Sequence, residues 1–188
     1  MDLTPEHVEV AKEKYCSGGV PQDKLDFVVG SITSLPKEIK NGPKFSHVFT
    51  TQVICHMARF SKESAKDVLR EAHSVLGTNG ILVIADFVQS ESGVSQQAQD
   101  YFFNRLHFER LQTFADYAQG LTEAGFDIVY FENATQSMAY GYEIIAPLAA
   151  ENECIEYDGQ PLSKHYEETA QCCYRGEIGM VVIVARKL

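Results

Sequence analysis

Three absences narrow this 188-residue sequence before any motif is considered. It has no cluster of Lys and Arg: 26 acidic residues outweigh 16 basic ones, for a formal net charge of -10. The sequence pI is about 5.0. Binders of nucleic acid concentrate cations on one face, so nucleic acid is not an expected partner. It has neither an apolar run of about 18 residues nor a signal-peptide pattern, so no membrane partner is expected and the cytoplasm is the expected compartment. Finally, Cys16, Cys55, Cys154, Cys172 and Cys173 form no C-x-x-C pair and have no His at zinc-finger spacing. Reduced thiols without a metal are the expectation, and the adjacent Cys172 and Cys173 read as helix packing rather than as a redox pair.

What is present is an alternation. The chain is 45 % hydrophobic, enough for one domain with a sizeable core. Thr4, Pro5 and Glu6 start a helix after only Met1, Asp2 and Leu3. A turn at "GGVPQD" leads to a short strand, Phe27 to Val29, stopped by Gly30, and a second strand centres on Val48, Phe49 and Thr50. Ser61 caps a helix in which Ala65, Val68, Leu69, Ala72, Val75 and Leu76 recur at helical spacing before Gly77. "GILVIADF" then reads as a strand buried on both faces, with Asp86 at its carboxyl end.

Residues 95 to 111 look helical and aromatic-rich, Thr113 caps a helix ended by Gly125, and "FDIVYFE" is a further strand. A mostly helical stretch, 133–176 at its widest, precedes the closing strand "GMVVIVARKL". This pattern predicts an open α/β sheet whose ligands bind beyond the carboxyl ends of its strands. The candidate positions there are Asp2, Gly30 to Ile32, Thr51 to His56, Asp86 and Phe87.

"MDLTPEHVEVAKEK", "DFVVGSITSLP", "FSHVFTTQVICHM", "AKDVLREAHSVLGTNGILVIADF" and "LTEAGFDIVYFE" resemble, in order, successive segments of a class I S-adenosylmethionine-dependent methyltransferase. Within that superfamily the chain most resembles the small-molecule branch with sarcosine/dimethylglycine N-methyltransferases. The resemblance implies one Rossmann-like α/β domain over 1–188, with helical insertions on the substrate side. It also implies a last strand running antiparallel beside "GILVIADF". S-adenosylmethionine is the implied cofactor, and a small amine the implied methyl acceptor.

Matched position by position, Asp2 falls on the acid that accepts from the cofactor's ribose hydroxyls. Gly30, Ser31 and Ile32 fall on the turn beside adenine, with Ser31 in place of a common Asp. Thr51 and Gln52 fall under the methionine part, His56 on the substrate side as candidate catalytic residue, and "LGTNG" on the family's "LKPGG"-like turn. Asp86 and Phe87 are candidate substrate contacts. One family element has no counterpart: no G-x-G-x-G loop occurs, although that loop lets backbone approach the cofactor closely. The match begins where the family's second strand ends, so the expectation is a truncated or fragment form that lacks the first two strands.

Blander readings stand beside these. Asp2 is otherwise a frayed terminal charge, His56 a helix-start histidine bonded to backbone, and Asp86 a strand-end turn former. Tyr101, Phe102, Phe103, Phe108 and Phe114 read as core before they read as an ammonium-binding pocket. The rival to an enzyme is a catalytically silent methyltransferase-like module that binds a partner chain. Either reading leaves open strand edges, which predicts a homo-oligomer, a strand swap or a separate amino-terminal polypeptide.

Overall fold

The computed structural model describes residues 1–17, 25–57, 62–154 and 159–188. Its elements are α1 (Pro5–Ser17), α2 (Lys37–Asn41), β1 (Phe45–Thr51), α3 (Ile54–Met57), α4 (Lys62–Val75) and β2 (Leu76–Gln89). An irregular helical run follows, made of α5 (Gln96–Ala98), a π-helical turn (Gln99–Phe103) and α6 (Asn104–Leu106). The chain then forms α7 (Phe114–Glu123), β3 (Phe126–Asn133), α8 (Thr135–Glu151), α9 (Leu162–Tyr174) and β4 (Ile178–Lys187).

The strands make one sheet in the order β1-β2-β4-β3. β1 runs parallel to β2, with Phe49 opposite Val83 and Thr51 opposite Ala85. β4 is antiparallel to both neighbours, pairing Ile183 with Ile84 on one side and with Phe131 on the other. The last strand thus inserts beside "GILVIADF" in the orientation expected. Period-two burial along β2 turns Leu82, Ile84 and Asp86 to one face, where Leu82 and Ile84 meet Val68 and Leu69 of α4 and Tyr117 and Leu121 of α7. A second cluster gathers Phe87, Phe102, Phe103, Phe108 and Leu111 with Met138, Cys172, Cys173 and Ile178. Each fully buried large apolar side chain here contributes about 1.5–3 kcal/mol relative to exposure.

Several boundaries differ from the sequence reading. The strand expected over Phe27 to Val29 is a single parallel bridge between Val29 and Asp2, because Asp2 is the partner residue it meets. α4 stops at Val75 and β2 starts at Leu76; the "LGTNG" turn is a bulge inside β2, with Asn79 at φ 59° while the β1 register steps from Phe45 to His47. The helix expected to residue 111 ends at Leu106, where His107 turns left-handed at φ 56°. The cap expected at Ser61 lies outside the described residues. Thr113 does cap α7: its Oγ1 accepts from Asp116 N at 3.1 Å while Asp116 Oδ2 accepts from Thr113 N at 3.1 Å. Gly125 ends that segment at φ 84°, in a conformation a Cβ makes costly.

Candidate functional site

β1 has β2 along one edge and no ladder partner among the described residues along the other. Phe49 is 70 % exposed on that side and Phe45 47 %. Opposite it, Asp2 is joined to the 28–30 backbone: Asp2 N donates to Val28 O at 3.1 Å, and Gly30 N donates to Asp2 O at 2.9 Å. Between these two edges lies a groove of about 780 Å³. Asp2, Gly30, Ser31, Ile32, Thr51, Gln52 and His56 all line it. The structure therefore gathers into one concavity residues spread over more than fifty positions of sequence.

Their local geometry is specific. The Asp2 carboxylate accepts from Thr4 N at 2.8 Å, and His7 Nδ1 lies 3.5 Å away. The Thr4 hydrogen bond, aided by His7, holds this carboxyl below its ordinary pKa, so it is an anion at neutral pH. Gly30 sits where a Cβ would come within 2.9 Å of Pro36 Cγ and 3.1 Å of Met1 Sδ, so a side chain there would push the turn apart. The Ser31 hydroxyl is engaged within its own turn, 2.9 Å from Thr33 Oγ1. Gln52, just past β1, is left-handed at φ 52°, and its N–H donates to Ala85 O at 2.8 Å. The His56 ring lies 4.9 Å from the Phe108 ring, which ties the groove to the aromatic cluster behind it.

Asp86 and Phe87 correct the expectation of substrate contacts at the end of β2. Asp86 is 0 % exposed. Its Oδ2 accepts from Cys55 N at 3.0 Å and Tyr117 Oη at 3.1 Å, and its Oδ1 from Phe87 N at 2.9 Å. Burial pushes its carboxyl above the ordinary value, opposed by those hydrogen bonds. In this geometry it faces the interior, because period two turns it to the face covered by α4 and α7. Phe87 is buried with its ring 5.4 Å from Phe102 and 6.2 Å from Phe108. Phe102, Phe103 and Phe108 are likewise core, while Phe114 is half-exposed against Phe131 at 4.3 Å.

The groove also takes in residues that sequence reading passed over. His47 stacks on Phe49 at 6.2 Å, and the alternation of "FSHVFT" was the available signal for a shared face. Glu71 anchors the far wall, accepting from Lys40 Nζ at 2.6 Å and Leu35 N at 3.2 Å, a contact set that no local pattern announces. Cys55, Cys154, Cys172 and Cys173 are free thiols. Among the described residues no group of three His, Cys, Asp or Glu is placed to hold a metal, and no helix is long and apolar enough to cross a membrane.

Comparison with known proteins adds to this geometry. Residues 1–84 match the family described as a methyltransferase domain. A curated relative, the erythromycin 3''-O-methyltransferase of Saccharopolyspora erythraea, is 30 % identical over 135 residues, covering 67 % of this chain and 41 % of that protein. The chain thus spans less than half the length of that relative. Among solved structures, one from Galdieria sulphuraria, provisionally designated a sarcosine dimethylglycine methyltransferase, superposes with a TM-score of 0.80 at 16 % identity, over 99 % of this chain and 69 % of that one. The geranyl diphosphate C-methyltransferase of Streptomyces coelicolor A3(2), solved with S-adenosyl-L-homocysteine, gives a TM-score of 0.74 at 12 % identity, over 99 % of this chain and 60 % of its own. With the sheet order β1-β2-β4-β3 and the antiparallel β4, the chain carries the Rossmann-like fold of the class I S-adenosylmethionine-dependent methyltransferases.

Proposed function

We propose that this chain serves S-adenosylmethionine-dependent methyl transfer to a small-molecule acceptor, with an amine such as sarcosine or dimethylglycine the first to test. The observation that supports it is that the seven residues the resemblance assigns to cofactor and catalysis all line one groove. Its volume of about 780 Å³ falls within the roughly 300–1,000 Å³ of small-molecule sites. The anionic Asp2 is chemically suited to accept from a pair of ribose hydroxyls, and the missing Cβ at Gly30 lets this groove-lining turn pack closely on Pro36 and Met1. Ser31, whose hydroxyl is engaged with Thr33, offers main chain rather than its side chain there.

When bound, S-adenosylmethionine supplies an electrophilic methyl group on a sulfonium that leaves as a neutral thioether. What this chain's residues contribute is position: Thr51 and Gln52 present the end of β1, and His56 holds the acceptor from the Phe108 side. In-line placement accounts for most of such an acceleration, so a strong general base is not required. An amine acceptor attacks as its free base, so its ammonium proton passes to His56 or to water before the new bond forms; dimethylglycine then becomes a quaternary ammonium with no proton left to release.

The open edge of β1 favours a companion reading. Paired on one side and exposing Phe45 and Phe49, it is suited to accept an added strand along its free edge. That strand would come from further sequence of the same polypeptide, a separate chain or a second copy. If no such complex binds cofactor, the chain is a silent methyltransferase-like module that binds a partner. Light scattering coupled to size exclusion reads the assembly, and calorimetric titration with S-adenosylhomocysteine reads the cofactor. Incubation with methyl-labelled S-adenosylmethionine and glycine, sarcosine, dimethylglycine, phosphoethanolamine or a sterol-like alcohol reads the acceptor. Label in sarcosine or dimethylglycine is the expected result; label only in an alcohol overturns the amine, and no cofactor binding by any assembled form overturns the enzyme.

A further inference from the structure

The buried Asp86 has no task in the reading above, yet it joins three elements at one carboxylate. Cys55 N, at the start of α3, and Tyr117 Oη, in α7, both donate to Oδ2, each from 31 residues away, while the backbone of Phe87 holds Oδ1. Every one of these donors is neutral. An acid without a cation is costly to bury, and an apolar residue of similar size commonly serves a core as well. The directional bonds are what an apolar residue cannot supply.

We propose that Asp86 is a positioning residue of the groove, fastening the Thr51–His56 turn from inside the domain. That turn has little to hold it otherwise. α3 is four residues long, too short to persist alone, and the Cys55 N–H belongs to the first turn, where helical N–H groups lack partners within the helix. Asp86 supplies the missing acceptor from a neighbouring strand. Three residues earlier, Gln52 holds a left-handed φ of 52° that a residue with a Cβ adopts only when its surroundings fix it. Its N–H is bound to Ala85 O, at 2.8 Å, so consecutive residues of β2 hold both ends of the turn.

The titratable groups facing Asp86 are Cys55 and Tyr117, both raised in pKa chiefly by burial, so they remain neutral donors at neutral pH. Asp86 thus acts on the groove through Cys55, the chain neighbour of His56, without touching it.

This inference rests on the methyl-transfer reading for its binding readout alone. The test uses the full chain, as wild type, Asp86→Asn and Tyr117→Phe, compared by amide hydrogen exchange and by titration with S-adenosylhomocysteine. The expected result is exchange about tenfold faster across Gln52 to His56 in Asp86→Asn, with Leu82 and Ile84 unchanged, and about threefold faster in Tyr117→Phe, which loses one hydrogen bond. Affinity for S-adenosylhomocysteine falls in the same order while the melting temperature stays within the range that the unchanged strand amides imply. Exchange that rises equally in the turn and in β2, or in neither, overturns the proposal and leaves Asp86 a general core residue. If Asp86→Asn does not fold, Tyr117→Phe decides by the same comparison. If the wild type takes up no S-adenosylhomocysteine in any assembled form, the methyl-transfer reading fails, and exchange alone decides the role of Asp86.

Discussion

The two sides of this sheet are built to different standards. On the β2-β4-β3 side, Leu82, Ile84 and Ile183 are fully buried, β4 is paired along both edges, and the aromatic cluster around Phe102 closes the layer above. One strand away, β1 exposes Phe49 and Phe45 and borders a groove instead of a neighbour. All seven residues matched to cofactor and catalysis lie on that open side. Dense packing and open concavity are thus divided within a single sheet, and binding surfaces are commonly drawn from the less densely packed part of a domain.

The contrast can be broken most forcefully from its packed side. Phe102→Ala empties a fully buried site and should cost about 3–5 kcal/mol in urea unfolding. A loss below about 1 kcal/mol would show that the aromatic cluster is not continuous with the sheet core. The converse experiment is Asp2→Ala, which should lower the urea midpoint only slightly, through loss of the exposed hydrogen bond from Thr4 N. It should weaken S-adenosylhomocysteine binding roughly tenfold or more, through loss of charge-assisted hydrogen bonds. A large fall in the midpoint with unchanged binding would reverse the assignment of the two sides.

A gentler effect comes with pH at the junction. Because burial raises the Asp86 pKa in the folded chain, both states hold its proton below pH ~4, and the unfolded chain releases it first as the pH rises. Stability due to this group therefore falls through the interval up to the raised folded value and is level above it. Asp86→Asn removes that fall, so wild-type stability measured against the variant should decline with rising pH across the interval; a parallel pair of curves would refute it. Smallest of all, Phe49→Ser should change unfolding by no more than about 0.5 kcal/mol, yet reduce any self-association seen by light scattering, because it removes an exposed apolar group from the unpaired edge.

Much of the fold was readable because it is written in local chemistry. The apolar run Ile81 to Ala85 gave β2, the Thr113 and Asp116 pair gave the start of α7, and Gly125 gave its end. The groove residues were readable only by resemblance, since no short-range pattern links Asp2 to His56. Asp86 was misplaced for a physical reason: an acid at a strand end looks alike whether it meets ligand, solvent or core. The deciding donors, Cys55 N and Tyr117 Oη, come from elements that only folding brings near. The short segment before Gly30 was overextended because its β propensity is strong while its ladder is one bridge long.

The place of β4 has a consequence for how the chain reaches this state during synthesis. β3 touches the sheet only through β4, and β4 follows every other strand in chain order. When β3 leaves the ribosome it can pack on α7 but has no strand to pair with, and it must wait while α8, α9 and β4 are translated, on the order of several seconds at usual elongation rates. Throughout that wait the β2 edge that β4 will cover is open as well. A nascent chain in this condition is a natural client for chaperones, and slowing translation within α8 or α9 should lower the soluble yield more than slowing it anywhere before β2.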